Sequence, residues 1–246
     1  MSKANKRKYL IFQHHPAEHN GRFEPLLAAD GVECLVVQLD QGEVIPELDG
    51  FDALWVLGGP QQVWEEEAYP WLIAEKAAIR EAVSERGMAY FGLCLGHQLL
   101  ADALGGEVGP ADVPEVGNLS VELTNQGRED RFFAGMKPTM TCAQGHGAEV
   151  TKLPKTAEIL ASSPACGVQA MRVGKTALSM QFHCELTVDM INECLEIPEY
   201  KADFEAMLGK DGIVEFLDDS AGYAPEFDAA AAKLYNNWKS VCFGTD

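Results

Sequence analysis

Five residues, Gly92-Leu93-Cys94-Leu95-Gly96, constrain this chain more than any other stretch. An apolar run, Met88-Ala89-Tyr90-Phe91, leads in, and a helix-patterned run from Leu95 to Leu104 leads out. A strand that turns sharply into a helix pushes its central side chain into an open cleft. Flanking glycines tolerate the tight backbone and leave room for a substrate. The new helix sets its N–H groups and positive dipole end beside the sulfur, which favours thiolate over thiol. The stretch predicts a cysteine nucleophile on an elbow. A buried core cysteine between two glycines is the other reading of the same residues.

Gln181-Phe182-His183-Cys184-Glu185 supplies what a nucleophile needs. Ala177 to Phe182 alternates as a strand, so His183 and Glu185 follow at its end. In extended chain, residues i and i+2 share a face. Glu185 can then hold one imidazole nitrogen of His183 while the other faces the thiol, the nucleophile–base–orienter arrangement. Upstream, the strand-like Phe51 to Leu57 ends in Gly58-Gly59-Pro60. A glycine pair there lets backbone N–H groups approach a ligand. The N–H groups of Gly59 and Leu95 are the expected oxyanion donors, each worth about 3 kcal/mol of barrier. Alone, Gly-Gly-Pro is a turn.

In this order the three pieces resemble the class I, triad-type glutamine amidotransferases. Leu93-Cys94-Leu95-Gly96-His97-Gln98 matches the nucleophile motif, Leu57-Gly58-Gly59-Pro60 the oxyanion strand, and Gln181 to Glu185 the His-x-Glu motif. The likeness covers about residues 8–190. Gln13-His14-His15-Pro16-Ala17-Glu18 and Gln169-Ala170-Met171-Arg172 resemble the free-standing, single-domain branch similar to the amidotransferase domain of GMP synthase. The resemblance implies a flavodoxin-like α/β fold and attack of a thiolate on the γ-carboxamide of glutamine. A γ-glutamyl thioester and ammonia result, and hydrolysis follows. It implies Cys94 as nucleophile, His183 as base and acid, Glu185 as orienter, and Gln98, Gly58 and His146 as substrate contacts. Two positions depart from the pattern. Cys184 stands where the family usually has proline, removing a fixed φ between the dyad residues. Asn118 stands near the expected substrate rim, where relatives often carry a large aromatic residue.

Composition bounds the rest. A chain of 246 residues, 47% hydrophobic, can bury a sizeable core without staples. Seven cysteines without CxxC spacing argue for reduced thiols and a cytoplasmic setting. Tyr9 to Phe12 is too short for a signal region, and no later run is long enough to span a bilayer. A net charge of −19 repels phosphate backbones and anionic lipids, so neither nucleic acid nor membrane is expected as a partner. The basic cluster Lys3, Lys6, Arg7 and Lys8 reads as a solvated leader.

Strand and helix patterns alternate along the chain. Tyr9–Gln13, Cys34–Gln38, Ala53–Leu57 and Met88–Leu93 read as short buried strands; Arg22–Ala29, Trp71–Arg86 and Leu95–Leu104 read as helices. A mostly parallel central sheet with helices on both faces follows. Leu119 to Met180 reads as an antiparallel extension. Val188–Leu195, Lys201–Leu208 and Glu226–Val241 read as packed helices, the last with Pro225 at its first turn. Residues 1–246 are expected to form one amidotransferase-like domain, with its core at about 8–190 and a helical C-terminal extension at 191–246.

No glycine-rich phosphate loop or other nucleotide signature occurs, so no cofactor is expected and the ATP-using half of GMP synthase is missing. His14, His15, Glu18 and His19 fit no closed metal site and are expected to line the cleft mouth; no metal is expected. Trp64, Tyr69 and Trp71 read as core or rim packing. His146, in Gln144-Gly145-His146-Gly147, is a substrate contact or a turn histidine. Three functions are compatible with these residues: a non-catalytic relative, a free-standing γ-glutamyl hydrolase without partner, and a glutaminase passing ammonia to a separate synthetase subunit. Cysteine α/β-hydrolases share the elbow, but their acid precedes the histidine, whereas Glu185 follows it.

Overall fold

Strands that are apolar on both faces require cover on both faces, and the first strands of this chain have it. The structure, a computed structural model, describes residues 6–244. Its strands are β1 (Lys8–Gln13), β2 (Glu33–Gln38), β3 (Ala53–Val56), β4 (Ala89–Leu93), β5 (Glu107–Leu123), β6 (Thr139–Lys152), β7 (Ala157–Ser162), β8 (Ala170–Val173) and β9 (Ala177–Met180). They form one sheet in the order β2-β1-β3-β4-β9-β8-β7-β5-β6. The run from β2 to β9 is parallel, and β8 to β6 add antiparallel strands beyond it. The sheet is therefore the mostly parallel α/β type expected, with the expected antiparallel extension.

The helices are α1 (Glu24–Ala29), α2 (Trp71–Arg80), α3 (Leu95–Ala103), α4 (Asn125–Glu129), α5 (Val188–Cys194) and α6 (Pro198–Phe243). Side chains of the central strands alternate between two cores. Tyr9, Ile11, Trp55 and Phe91 pack with Phe23, Leu27, Tyr235 and Trp238 beneath α1 and α6. Leu10, Phe12, Leu54, Val56 and Tyr90 pack with Leu72 and Ile79 of α2 and Leu99 and Leu100 of α3. The Trp55 ring lies 4.6 Å from that of Phe91 and edge-on to Trp238 at 5.5 Å.

Two expectations need correction. Cys34–Gln38 is a strand but mostly exposed, because β2 is the outer strand of the sheet. The helix expected at Lys201–Leu208 ends where expected, because Gly209 (φ 66°, ψ 174°) breaks the α6 run into two helices, but the second helix starts well before Glu226. Glycine adopts that backbone without a Cβ clash. Pro225 lies inside the helix and not at its first turn. Burial of Phe216, Phe227, Tyr235 and Trp238 holds the helix on the domain and outweighs the local preference of proline. Of the basic leader, Lys3 lies outside the described residues, while the Arg7 guanidinium stacks over Phe243.

Because Trp238 is fully buried and donates its indole N–H to the Tyr90 carbonyl, Trp238→Ala is expected to cost about 3–5 kcal/mol. Urea unfolding followed by circular dichroism checks this. An unchanged midpoint would mean that α6 contributes little to the core.

Candidate active site

Cys94 sits between β4 and α3 with φ 47° and ψ −103°, and it is the one non-glycine residue with positive φ among the described residues. Such backbone costs on the order of 1–3 kcal/mol and persists only where its surroundings dictate it. Here they do. The Cys94 N–H donates to the Met180 carbonyl at 2.8 Å, and the Gly96 N–H to that of Leu57 at 3.2 Å. A Cβ on Gly96 would lie 2.1 Å from the Val56 carbonyl oxygen, so glycine alone lets α3 start this close to β3. Leu95 is the first residue of α3, and its N–H has no intrahelical acceptor.

His183 and Glu185 follow β9, the parallel neighbour of β4. As expected from their spacing, they meet: His183 Nδ1 lies 2.5 Å from Glu185 Oε1, both side chains buried. Nδ1 is thereby engaged, and Nε2 stays free of Glu185. Burial pulls the imidazolium down, but the Glu185 carboxylate and the Cys94 sulfur outweigh it and hold the His183 pKa well above 6.5. Cys184 supplies what proline could not. Its N–H donates to the second Glu185 oxygen at 3.0 Å, fixing the carboxylate from both sides. Burial raises the Cys184 thiol well above its ordinary value, with the Glu185 carboxylate adding to the effect. The Gly21-Arg22 turn seats this segment, since the Arg22 N–H donates to the Glu185 carbonyl at 2.9 Å.

Gln181 is the residue whose position the sequence did not reveal. Its Nε2 donates to Cys94 Sγ at 3.5 Å, while its Oε1 accepts from Gln98 Nε2 at 3.0 Å. Gln98, expected to meet substrate, lines the cleft but spends its amide hydrogens on Gln181 and on the Ala148 carbonyl at 3.2 Å. The motif's His97 points away from the cleft. It is fully buried, bonds Ser179 of β9 at 2.9 Å, and is held neutral by burial, its pKa down at about 3.

Gly59 and Leu95 line the cleft with Cys94. Gly58 lies just behind, where a Cβ would come within 2.5 Å of Glu18 Oε2. The cleft has a volume of about 200 Å³. His146 is also at its wall, in β6 and not in a turn. Its Nδ1–H donates to the Ala148 carbonyl at 3.0 Å, and its Nε2 lies 3.2 Å from Glu115 Oε2. Burial raises Glu115, but His146, Ser163 and Gln169 around it bring its pKa below the ordinary carboxylate value. The opposite wall comes from α6, with Glu199, Tyr200, Asp203, Phe204 and Met207.

The cluster after β1 behaves differently from expectation. His14 does not line the mouth; it is completely buried between Gly58 and Glu75 and stacks on Trp71 at 5.5 Å. Glu18 is buried beside the dyad and accepts from the Tyr200 hydroxyl at 2.6 Å. His15 borders a neighbouring groove. Asn118 is not at the rim: its amide donates to Ser220 of α6 at 3.0 Å. Trp71 packs as expected, whereas Trp64 is 47% exposed.

Two side-chain groups come close enough to share a cation: Glu18, His183 and Glu185, and Glu115, His146 and Cys166. In the first, His183 and Glu185 bond each other and Glu18 takes Tyr200. In the second, Glu115 takes Ser163 and Gln169 at 3.0 and 2.7 Å. Both read as hydrogen-bond networks built from protein partners. No helix among the described residues is long and apolar enough to cross a membrane.

Comparison with known proteins gives the same frame. Residues 22–193 match the family model of class-I glutamine amidotransferases. The chain is 33% identical over 171 residues to a glutamine-hydrolysing GMP synthase subunit of Sulfolobus acidocaldarius, spanning 68% of this chain and 85% of that one. It is 33% identical over 159 residues to the glutamine amidotransferase-like protein YfeJ of Salmonella typhimurium, spanning 63% and 66%. A glutamine amidotransferase from Thermotoga maritima shares the fold, with a TM-score of 0.85 at 24% identity over 95% of this chain and 98% of that one. The strained cysteine elbow, the adjoining His-x-Glu dyad and these matches lead to one conclusion: the chain belongs to the class-I glutamine amidotransferase family.

Proposed function

We propose that this chain hydrolyses the γ-carboxamide of glutamine, or of a related γ-glutamyl amide, through a thioester on Cys94. The observation that carries the reading is that Cys94 and His183 follow paired parallel strands, β4 and β9, with His183 Nδ1 fixed by Glu185 at 2.5 Å. His183 Nε2 holds the proton taken from the Cys94 thiol, and the resulting thiolate attacks the γ-carbonyl carbon. The carbonyl oxygen becomes an oxyanion facing the N–H groups of Gly59 and Leu95. The C–N bond breaks as His183 returns the proton to the leaving nitrogen, giving ammonia or an amine and a γ-glutamyl thioester. Water then attacks, His183 takes its proton, and the C–S bond breaks to release glutamate. Glu185 holds the imidazole in the productive tautomer and supports its charge. On this reading Gln181 orients the sulfur, and Gln98 acts through Gln181.

The Sulfolobus relative is named as one subunit of a GMP synthase, which supports ammonia transfer to a separate synthetase. A free-standing γ-glutamyl hydrolase is the second reading, and α6 favours it. Tyr200, Phe204 and Met207 wall the cleft from outside the residues that match the family model, so this chain brings its own substrate wall. Purified protein assayed on glutamine and on a panel of γ-glutamyl amides separates the two. Turnover of glutamine that rises with a synthetase partner supports the first, and turnover of an amide but not glutamine supports the second.

Cys94→Ala is expected to abolish release of ammonia or amine, and the thioester adduct seen by intact mass should vanish with it. His183→Ala should lower the rate by about 10²–10⁴-fold, and Glu185→Gln should leave partial activity. Equal turnover by wild type and Cys94→Ala would reject the assignment.

The pH profile tests the dyad separately. A histidine pKa raised above 6.5 keeps the imidazolium present into more alkaline solution, so the alkaline limb of kcat/KM should fall above that pH. Glu185→Gln removes the charge that holds it there and should move that limb to lower pH. A limb that stays put would mean that His183 is not the titrating group.

A further inference from the structure

We infer that His14, braced by Glu75, is a positioning residue that aims the Gly59 N–H into the cleft; the inference rests on the hydrolytic reading above. His14 follows β1 and Glu75 lies on α2, and both side chains are fully buried. His14 Nδ1 is 2.8 Å from the Gly58 carbonyl oxygen, and Nε2 is 2.8 Å from Glu75 Oε1. A carbonyl can only accept, so Nδ1 carries a hydrogen and donates it to Gly58. The Glu75 bond at Nε2 secures that arrangement whichever of the two groups holds the shared proton.

The consequence comes from peptide planarity. The Gly58 C=O and the Gly59 N–H belong to one peptide unit, and no described peptide bond is cis. In a trans unit the two groups point in opposite directions. A carbonyl pulled toward His14 therefore turns the N–H to the other side, where Gly59 borders the cleft with Cys94 and Leu95.

Such a clamp answers a weakness of the local sequence. Two adjacent glycines allow a peptide to flip at little cost, and a flipped unit would present a carbonyl oxygen to a developing oxyanion. Bulkier residues cannot stiffen it. A Cβ on Gly59 would lie 2.6 Å from His14 Cβ and 2.9 Å from Leu95 Cδ2. Rigidity has to come from hydrogen bonding. The pair is also a costly one to bury, since Glu75 Oε2 has no partner. Apolar residues of similar volume would pack there with less desolvation. Packing does not account for the pair, and holding one carbonyl does.

The test compares the double variant His14→Phe/Glu75→Leu with Glu75→Gln. The double variant keeps a ring against Trp71 and leaves no charge buried, but has no donor for Gly58. Its kcat on the best γ-glutamyl amide is expected to fall about 10²-fold, with KM changed by less than about 3-fold. The γ-aldehyde analogue of glutamate, whose carbonyl carbon bonds to the Cys94 sulfur while its oxygen takes the proton, should inhibit it more weakly by a similar factor. In Glu75→Gln the side-chain amide can donate to Nε2, which keeps the hydrogen on Nδ1, and most of kcat should remain. Glu75→Leu alone frees the other tautomer and should lose part of what Glu75→Gln retains.

A folded double variant with wild-type kcat overturns the inference, as does a loss confined to KM. Should the double variant fail to fold, equal rates for Glu75→Gln and Glu75→Leu overturn it. If the wild type turns over no γ-glutamyl amide, the hydrolytic reading falls on its own. Crystal structures of wild type and double variant then decide the positioning role: a rotated 58–59 peptide upholds it, and an unrotated one removes it.

Discussion

The backbone of Cys94 is held in a conformation that an L-residue avoids, and the rest of the site is arranged around that fact. On one side the strand continues its pairing one residue further, through the Cys94 N–H to Met180. On the other, Gly96 seats α3 against the carbonyls of Val56 and Leu57. These grips come from β9 and β3, the two strands that flank β4 in the sheet. Parallel neighbours lie about 4.8 Å apart, so their carboxyl ends arrive together. Gly59 therefore follows β3, Cys94 follows β4, and His183 follows β9, side by side. A crevice at the carboxyl ends of parallel strands is where such sheets place ligands. The strand order that strains the cysteine also delivers its companions.

The two helices of α6, which meet at Gly209, join the core to the cleft wall. The later one buries Tyr235 and Trp238 in the core beneath β1, β3 and β4. The first stands at the cleft and sends the Tyr200 hydroxyl to Glu18, which is buried beside His183 and Glu185. Gly209 lies between the two parts and lets the chain change direction. A substrate that meets Tyr200 or Phe204 thus meets an element anchored far from the chemistry. That arrangement fits a wall that discriminates by shape.

Features fixed by neighbouring residues were legible in the sequence, and features fixed by distant ones were not. Apolar runs with both faces buried marked β1, β3 and β4, and two glycines around a cysteine marked the turn into α3. The dyad was legible because an i, i+2 pair in extended chain needs no knowledge of the fold. His14 read as a mouth residue because nothing near it in sequence announces Glu75, which arrives on a helix packed against the other core. Gln181 was visible as part of a motif, but its bond to the sulfur depends on β9 lying beside β4. The exposure of β2 follows from its place at the sheet's edge, which a run of apolar residues does not report. Asn118 was misplaced for the same reason: its partner is Ser220, on a helix that the proline at 225 made hard to trace.

Electrostatics explains why so much structure serves one peptide plane. The chain carries a net charge of −19, and the cleft wall adds Glu199 and Asp203. Among the described residues lining the cleft there is no lysine or arginine. On the proposed mechanism an oxyanion forms there, and long-range charge opposes it. Stabilisation then falls to groups at close range: the His183 imidazolium, two backbone N–H dipoles and the first turn of α3. Dipoles act only when aimed, and their effect decays steeply with misalignment. A strained cysteine fixed by its two neighbouring strands and a glycine carbonyl clamped by a buried histidine are two solutions to that one requirement.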